Sequence, residues 1–177
     1  MLPNVKRLLD RFRSAGLPVA FTGTGSYTED GRELPGWLKN FDRLGLSMIG
    51  ERVWPRANDP AWQIDERVAP RPGELLLNKT SSGPVNSTKL DQLLHNIGID
   101  TLFVTGLTTD VCVSQAARET ADRGFQVVIV GDACTTLSEE MHRAALQAFS
   151  LAFGRVRTTE EVLRLLSSAV SRETSVA

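Results

Sequence analysis

One cysteine in this chain stands where a nucleophile would be expected, in the stretch TLFVTGLTTDVCV over residues 101–113. The stretch starts as an apolar β-type run at residues 102–104, breaks at Gly106, passes a pair of threonines and takes up a helical pattern at about Asp110. Cys112 therefore falls in the first turn of a helix that begins where a strand ends. Backbone N–H groups point outward there without partners, and the helix dipole favours negative charge. Such a place favours thiolate, the form that attacks a carbonyl carbon. Attack on an amide or ester further needs a proton acceptor, a charge to steady the thiolate and donors for the oxyanion. Lys79 follows the apolar run of residues 75–77 and is suited to steadying a thiolate. The loop of residues 106–109 can aim backbone N–H groups at one point, together with that of Cys112. Each residue also has a plainer role open to it. A lone cysteine here can be a small buried hydrophobe, a lysine after a strand can be solvated, and Thr109 or Asp110 can cap the helix.

The elements that must position these residues follow from periodicity. Val5, Leu8, Leu9 and Phe12 recur at helical spacing and predict a helix over residues 4–15, with Gly16 as its C-cap. PVAFT, residues 18–22, reads as a buried strand. A polar, glycine- and proline-rich segment with Trp37, Trp54 and Trp62 follows to residue 73, without a strong period of either kind; a lid over residues 24–73 is expected. After the strand at 75–77 come a helix at 87–96, the strand of the organising stretch, a helix at 110–123 and the strand FQVVIV at 125–130. A helix at 138–149 opens on Ser138 with Glu139 and Glu140 in its first turn. A short strand at Val156, a helix at 159–169 and a frayed tail over 171–177 complete the chain. Nearly all-apolar strands alternating with helices predict an α/β fold, a three-layer α/β/α sandwich with a mostly parallel sheet, as one domain over residues 1–170. Ligands in such sheets bind beyond the carboxyl ends of strands. Lys79 and Cys112 both lie just past strand ends.

The totals narrow the function classes. A net charge of −1, from 20 basic and 21 acidic side chains, gives no reason to expect nucleic acid or an anionic membrane as partner. No apolar run approaches the roughly 20 residues of a membrane span, and the amphipathic start with Asp10 in it is not a signal peptide. Two cysteines, Cys112 and Cys134, make no disulfide framework, so a cytoplasmic location is expected. Dinucleotide binding lacks a G-x-G-x-x-G after a strand, and a redox-thiol role lacks a C-x-x-C pair.

The runs KTSSGPVNST, VTGLTTDVCV and DRGFQVVIVGDA, between Lys79 and Ala133, together resemble the isochorismatase-like cysteine hydrolases. The resemblance extends at lower specificity from residue 4 to about residue 166. It implies a Rossmann-like three-layer fold and hydrolysis of C–N bonds in small amides, ureido or carbamoyl compounds through a thioester-type intermediate; some members instead cleave the enol ether of isochorismate. By the match Cys112 is the nucleophile, Lys79 the triad lysine, and the N–H groups of Thr108 and Cys112 the oxyanion hole, beside a non-proline cis peptide between Leu107 and Thr108. A small-molecule substrate and an oligomer of identical chains are implied as partners, with no cofactor. Nicotinamidase-like members hold zinc with Asp and His after the second strand; here that place reads GTGSYTED, and no metal is expected.

In the resembling family the third triad member, an aspartate, ends a central strand that precedes the first helix. Residues 1–3 hold no such strand, and Asp10 belongs to the helix pattern, so no triad aspartate is found. The expectation is a sheet with an open place between the strands at 18–22 and 102–105, and weak or no hydrolysis by these residues alone. The alternative is a non-catalytic relative, a ligand-binding or oligomer-forming subunit.

Overall fold

The computed structural model describes residues 1–173 and shows helices alternating with parallel strands. The amphipathic helix α1, Leu2–Ser14, leads into strand β1, Ala20–Thr24, and helix α2, Gly36–Ile49. Strand β2, Leu75–Lys79, helix α3, Leu90–Asn96, and strand β3, Thr101–Leu107, follow. A π-helical turn, Thr109–Val113, runs straight into helix α4, Ser114–Ala121. Strand β4, Gln126–Thr135, helix α5, Glu139–Ala152, strand β5, Arg155–Arg157, and helix α6, Thr159–Glu173, end the described chain. The tail expected to fray at 171–177 is helical as far as Glu173, and residues 174–177 lie outside the described residues.

Side chains alternate across β4 and sort the helices into two layers. Val127 and Ile129 pack with Leu90 and Leu94 of α3, Ala117 of α4 and Phe149 of α5. Val130 and Ala133 pack on the other face with Leu8 of α1 and Val162 of α6. β4 continues five residues past the carboxyl end of the β4–β5 pairing, and a register shift between Val104 and Gly106 keeps it paired with β3 as far as Leu107↔Thr135. The sequence reading ended this strand at residue 130. It stays extended because Asp132 turns its carboxylate outward to accept from Thr159 N–H and Oγ1 at the start of α6.

The strands divide into two ladders, β1–β2 and β3–β4–β5, with no hydrogen bonds joining them. This meets the expectation of an open place between the strands at 18–22 and 102–105. Val127, Ile129 and Val130 of β4, flanked on both sides, are at most 3% exposed, whereas the apolar Leu102, Phe103 and Val104 of β3 are all only half-buried. Phe12 of α1 packs edge-on against Phe103 at 5.6 Å between ring centroids and covers part of that strand.

The segment expected to lack periodic structure contains α2. Leu38, Asp42 and Gly45 form its buried face, while Trp37, Phe41, Leu44 and Met48 form an exposed stripe. Trp37, Phe41, Leu44 and Met48 do recur at helical spacing, but the stripe is exposed and the buried face holds Asp42 and Gly45, so the polar, proline-rich surroundings mask the helix in sequence. Asp42 is held inside by Arg52, at 2.9 and 2.6 Å from Nε and Nη2, and by the Trp54 N–H at 2.9 Å.

A second ion pair ties α1 to the start of β2. Arg13 donates to Glu74 at 2.7 and 2.8 Å and to the Ala69 carbonyl at 2.9 Å, with both side chains about one-tenth exposed. Arg13→Ala should cost about 2–4 kcal/mol in urea unfolding, less than a fully buried pair. Hydrogen bonding from Arg13 holds the Glu74 carboxyl below the ordinary glutamate value. Its stabilisation is therefore present above the ordinary glutamate range and lost as pH falls through the depressed value. Parent and Arg13→Ala should converge in stability under acid; a gap that stays constant down to about pH 2 would contradict this linkage.

Candidate active site

The carboxyl ends of β2 and β3 bring Lys79 and Cys112 together. Lys79 is the last residue of β2 and only 3% exposed. Its ammonium has three donors and three partners: Thr24 Oγ1 at 2.5 Å on the neighbouring strand, the Ser81 carbonyl at 2.9 Å, and Cys112 Sγ at 3.5 Å. Burial pulls the Lys79 ammonium below the ordinary lysine value, and its interactions with Cys112 and Glu119 oppose that shift. A buried cation so arranged can hold a thiolate in one place, since the amine has no free rotor. The plainer reading of Lys79 as a solvated lysine is excluded by its burial.

Cys112 is carried by the π-helical turn rather than by a regular first helical turn. The Leu107–Thr108 peptide is cis, and Gly106 before it takes φ 121°, a conformation open to glycine. The Thr108 carbonyl accepts from the N–H groups of Val111, at 3.2 Å, and Val113, at 3.0 Å, and steps over that of Cys112 between them. The wider turn thus leaves the Cys112 N–H out of the Thr108 bond set, where a regular helix would enlist it. Neither Thr109 nor Asp110 caps the helix, the plainer role their position suggested. Thr109 is fully buried with Oγ1 2.8 Å from His142 Nδ1 of α5, and Asp110 Oδ1 accepts from Thr136 Oγ1 beyond β4. His142 thus braces the turn that carries the thiol. Its place in a helix 30 residues further on carried no signal of this contact.

The stretch GTGSYTED at the end of β1 runs into a polar turn. Thr28 and Asp30 bond each other, the carboxylate of Glu33 accepts from the N–H groups of Tyr27 and Thr28 and from Thr28 Oγ1, and Tyr27 Oη donates to the Asn78 carbonyl. Among the described residues no group of three or more His, Cys, Asp or Glu is gathered to hold a metal ion.

Cys134 is 6% exposed inside β4, and burial pushes its thiol up to about 12. Alkylation at pH 7.5 or so should therefore modify Cys112 and spare Cys134 until the chain unfolds. Lys79→Ala should slow labelling of Cys112 by about 3–30-fold, because the thiolate loses its adjacent cation. Peptide mapping of the labelled sites separates the two thiols; equal labelling of both, or a parental rate in Lys79→Ala, would count against these roles.

Comparisons with known proteins bear on this site. The model of the isochorismatase domain matches residues 1–161. The chain is 30% identical over 164 residues to the isochorismatase family protein YwoC of Bacillus subtilis, covering 92% of this chain and 82% of that one. It is 29% identical over 177 residues to the N-carbamoylsarcosine amidase of an Arthrobacter species, covering 99% of this chain but 65% of the amidase, just under two thirds of its length. Its fold is similar to the crystal structure of a cysteine hydrolase from Pseudomonas syringae pv. phaseolicola, with a TM-score of 0.84, 24% identity and coverage of 96% and 81% of the two chains.

Proposed function

This chain belongs to the isochorismatase family of hydrolases, and from that premise we propose that it hydrolyses a C–N bond of a small amide, ureido or carbamoyl compound through Cys112. The observation that carries the reading is the 3.5 Å approach of Lys79 Nζ to Cys112 Sγ at the carboxyl ends of two strands. In the proposed course the Cys112 thiolate attacks the carbonyl carbon, and the oxyanion is met by the N–H groups of Thr108 and Cys112. The tetrahedral adduct collapses by breaking the C–N bond, and the amine leaves with a proton. Water then attacks the thioester, releasing the acid and restoring the thiol.

Lys79 stabilises charge in this scheme, and its three donors are already engaged. A separate acid–base group must take the thiol proton and return it to the leaving amine. Among the described residues no carboxylate is hydrogen-bonded to Cys112 Sγ, and the open place between β1 and β3, where the resembling family carries its aspartate, holds no strand. The same open place favours a second reading, a ligand-binding or oligomer-forming relative without turnover. In either reading identical chains associate, and the exposed stripe Trp37, Phe41, Leu44 and Met48 offers apolar surface for it.

A panel of N-carbamoyl amino acids, ureido acids, primary amides and isochorismate tests the proposal, read by ammonia release or chromatography. Turnover of one nitrogen compound, abolished by iodoacetamide at Cys112, is the expected result. Binding of a panel member without turnover would favour the second reading, and cleavage of isochorismate alone would move the chemistry to an enol ether.

A further inference from the structure

The segment after Lys79 is tied down by a carboxylate that the proposed chemistry does not use. Glu119 of α4 lies seven residues beyond Cys112, with Gln115 one turn before it on the same helix. Its Oε2 accepts from the Val85 N–H at 3.1 Å, and its Oε1 accepts from Asn86 Nδ2 at 2.5 Å and Gln115 Nε2 at 2.9 Å. Gly83 makes room for it: a Cβ there would lie 2.1–2.3 Å from the carboxylate atoms. Gly83, Pro84 and Val85 are buried, so the contact is not a surface ornament.

From this anchor the bonds run back to the site. The Gly83 carbonyl accepts from Ser81 Oγ at 2.6 Å, and Ser81 Oγ also meets Ser87 Oγ at 2.9 Å. Ser87 Oγ in turn accepts from the Thr80 N–H at 3.2 Å. The Ser81 carbonyl so placed is one of the three acceptors that hold Lys79 Nζ. The helix that carries the thiol and the loop that steadies the lysine are thus joined by one carboxylate.

We propose that Glu119 is a positioning residue for the Lys79–Cys112 pair: it clamps residues 83–86 to α4 and, through Ser81, sets where the ammonium meets the sulfur. The inference rests on the thiol–lysine reading of the site. Glu119 also bears on Lys79 through space, since its charge favours the ammonium form.

Glu119→Gln keeps the size of the side chain but turns one acceptor into a donor. With the amide oxygen kept on the Val85 N–H, its NH2 group faces the side-chain amides of Asn86 and Gln115, which must turn over to accept, and the carboxylate's charge is lost. The measurement is the pH profile of Cys112 alkylation, followed by kcat and KM on whichever substrate the panel yields. A misplaced ammonium should move the midpoint of the profile upward by about 0.5–1 pH unit and lower kcat by about 10-fold or more with KM little changed. Gly83→Ala leaves every charge in place but displaces the carboxylate, and should shift the profile in the same direction. Glu160→Gln, on exposed α6 surface, should behave as the parent.

A folded Glu119→Gln with the parental profile would overturn the proposal, whatever its melting temperature, because a loop anchor alone would change stability and not the thiol. If Glu119→Gln does not fold, Gly83→Ala decides by the same two outcomes. Loss of folding in both assigns the carboxylate to stability and also overturns the proposal. Lys79→Ala in the same assay separates the layers. Should it shift the profile while Glu119→Gln does not, only the positioning role falls; should neither shift it, the thiol–lysine reading falls as well.

Discussion

Cys112→Ala is expected to abolish hydrolysis, by about 10⁴-fold or more, while leaving the fold in place. The thiol is the group through which the carbonyl carbon is proposed to be held, and alanine supplies no atom that can form that bond. Its other contacts are few: the sulfur's hydrogen-bond partner is Lys79 Nζ, which keeps Thr24 Oγ1 and the Ser81 carbonyl when Cys112 is removed. The residue is half-buried in a turn whose backbone is pinned through Thr108, Thr109 and Asp110, so truncation at Cβ leaves that turn its own bonds. Melting should change by only a few degrees, of the order a ~1 kcal/mol effect produces. Turnover of the panel substrate and intact-mass detection of a trapped acyl adduct are the measurements. Parent protein should carry the adduct on Cys112, Cys134→Ala should do the same, and Cys112→Ala should carry none. Retained turnover in Cys112→Ala, or an adduct on another side chain, would sink the nucleophile assignment.

The second large effect is expected from filling the place between β1 and β3. Each strand is paired on one side only, β1 with β2 and β3 with β4, and the ladders share no hydrogen bond. The free edges carry unpaired N–H and C=O groups, and each such group costs about 1–3 kcal/mol if it is dry. A parallel strand there would pair both edges and cover the half-exposed Leu102, Phe103 and Val104. It would also end beside the carboxyl ends that carry Lys79 and the Cys112 turn. An aspartate at its last position would then supply the acid–base group that the described residues do not present to the sulfur. Joining such a strand, apolar and ending in Asp, ahead of α1 through a short linker should raise turnover by about 10²–10⁴-fold, the usual worth of a general base. The same strand ending in Asn should raise the melting temperature equally and leave turnover low. Equal turnover for residues 1–177, the Asp form and the Asn form would mean that the base lies elsewhere in the chain.

Local pattern made part of this protein legible. The strand ends at Lys79 and before Cys112, the helix after the thiol, the Ser138 cap of α5 and the alternation of strand with helix all follow from runs of fewer than about fifteen residues, where periodicity and end signals act. The Ser138 hydroxyl does accept from the Met141 N–H. Where polarity served a distant partner, local reading failed. Asp132 lies in a stretch of β4 beyond the expected strand end at residue 130, and its carboxylate caps α6, 27 positions on; α2 was hidden in a polar, proline-rich segment because its buried Asp42 answers Arg52 and its apolar stripe faces outward.

The residue types and the strand ends near Lys79 and before Cys112 were therefore determined by sequence alone, since backbone propensity and the exclusion of apolar runs from water act over a few neighbours. The meeting of Lys79 and Cys112 across 33 positions, the brace of His142 on Thr109 and the clamp of Glu119 on residues 83–86 were decided only by tertiary structure. The physical reason is the same in each case: a hydrogen bond between distant residues depends on where packed helices and strands leave their side chains, and no short-range pattern encodes that distance.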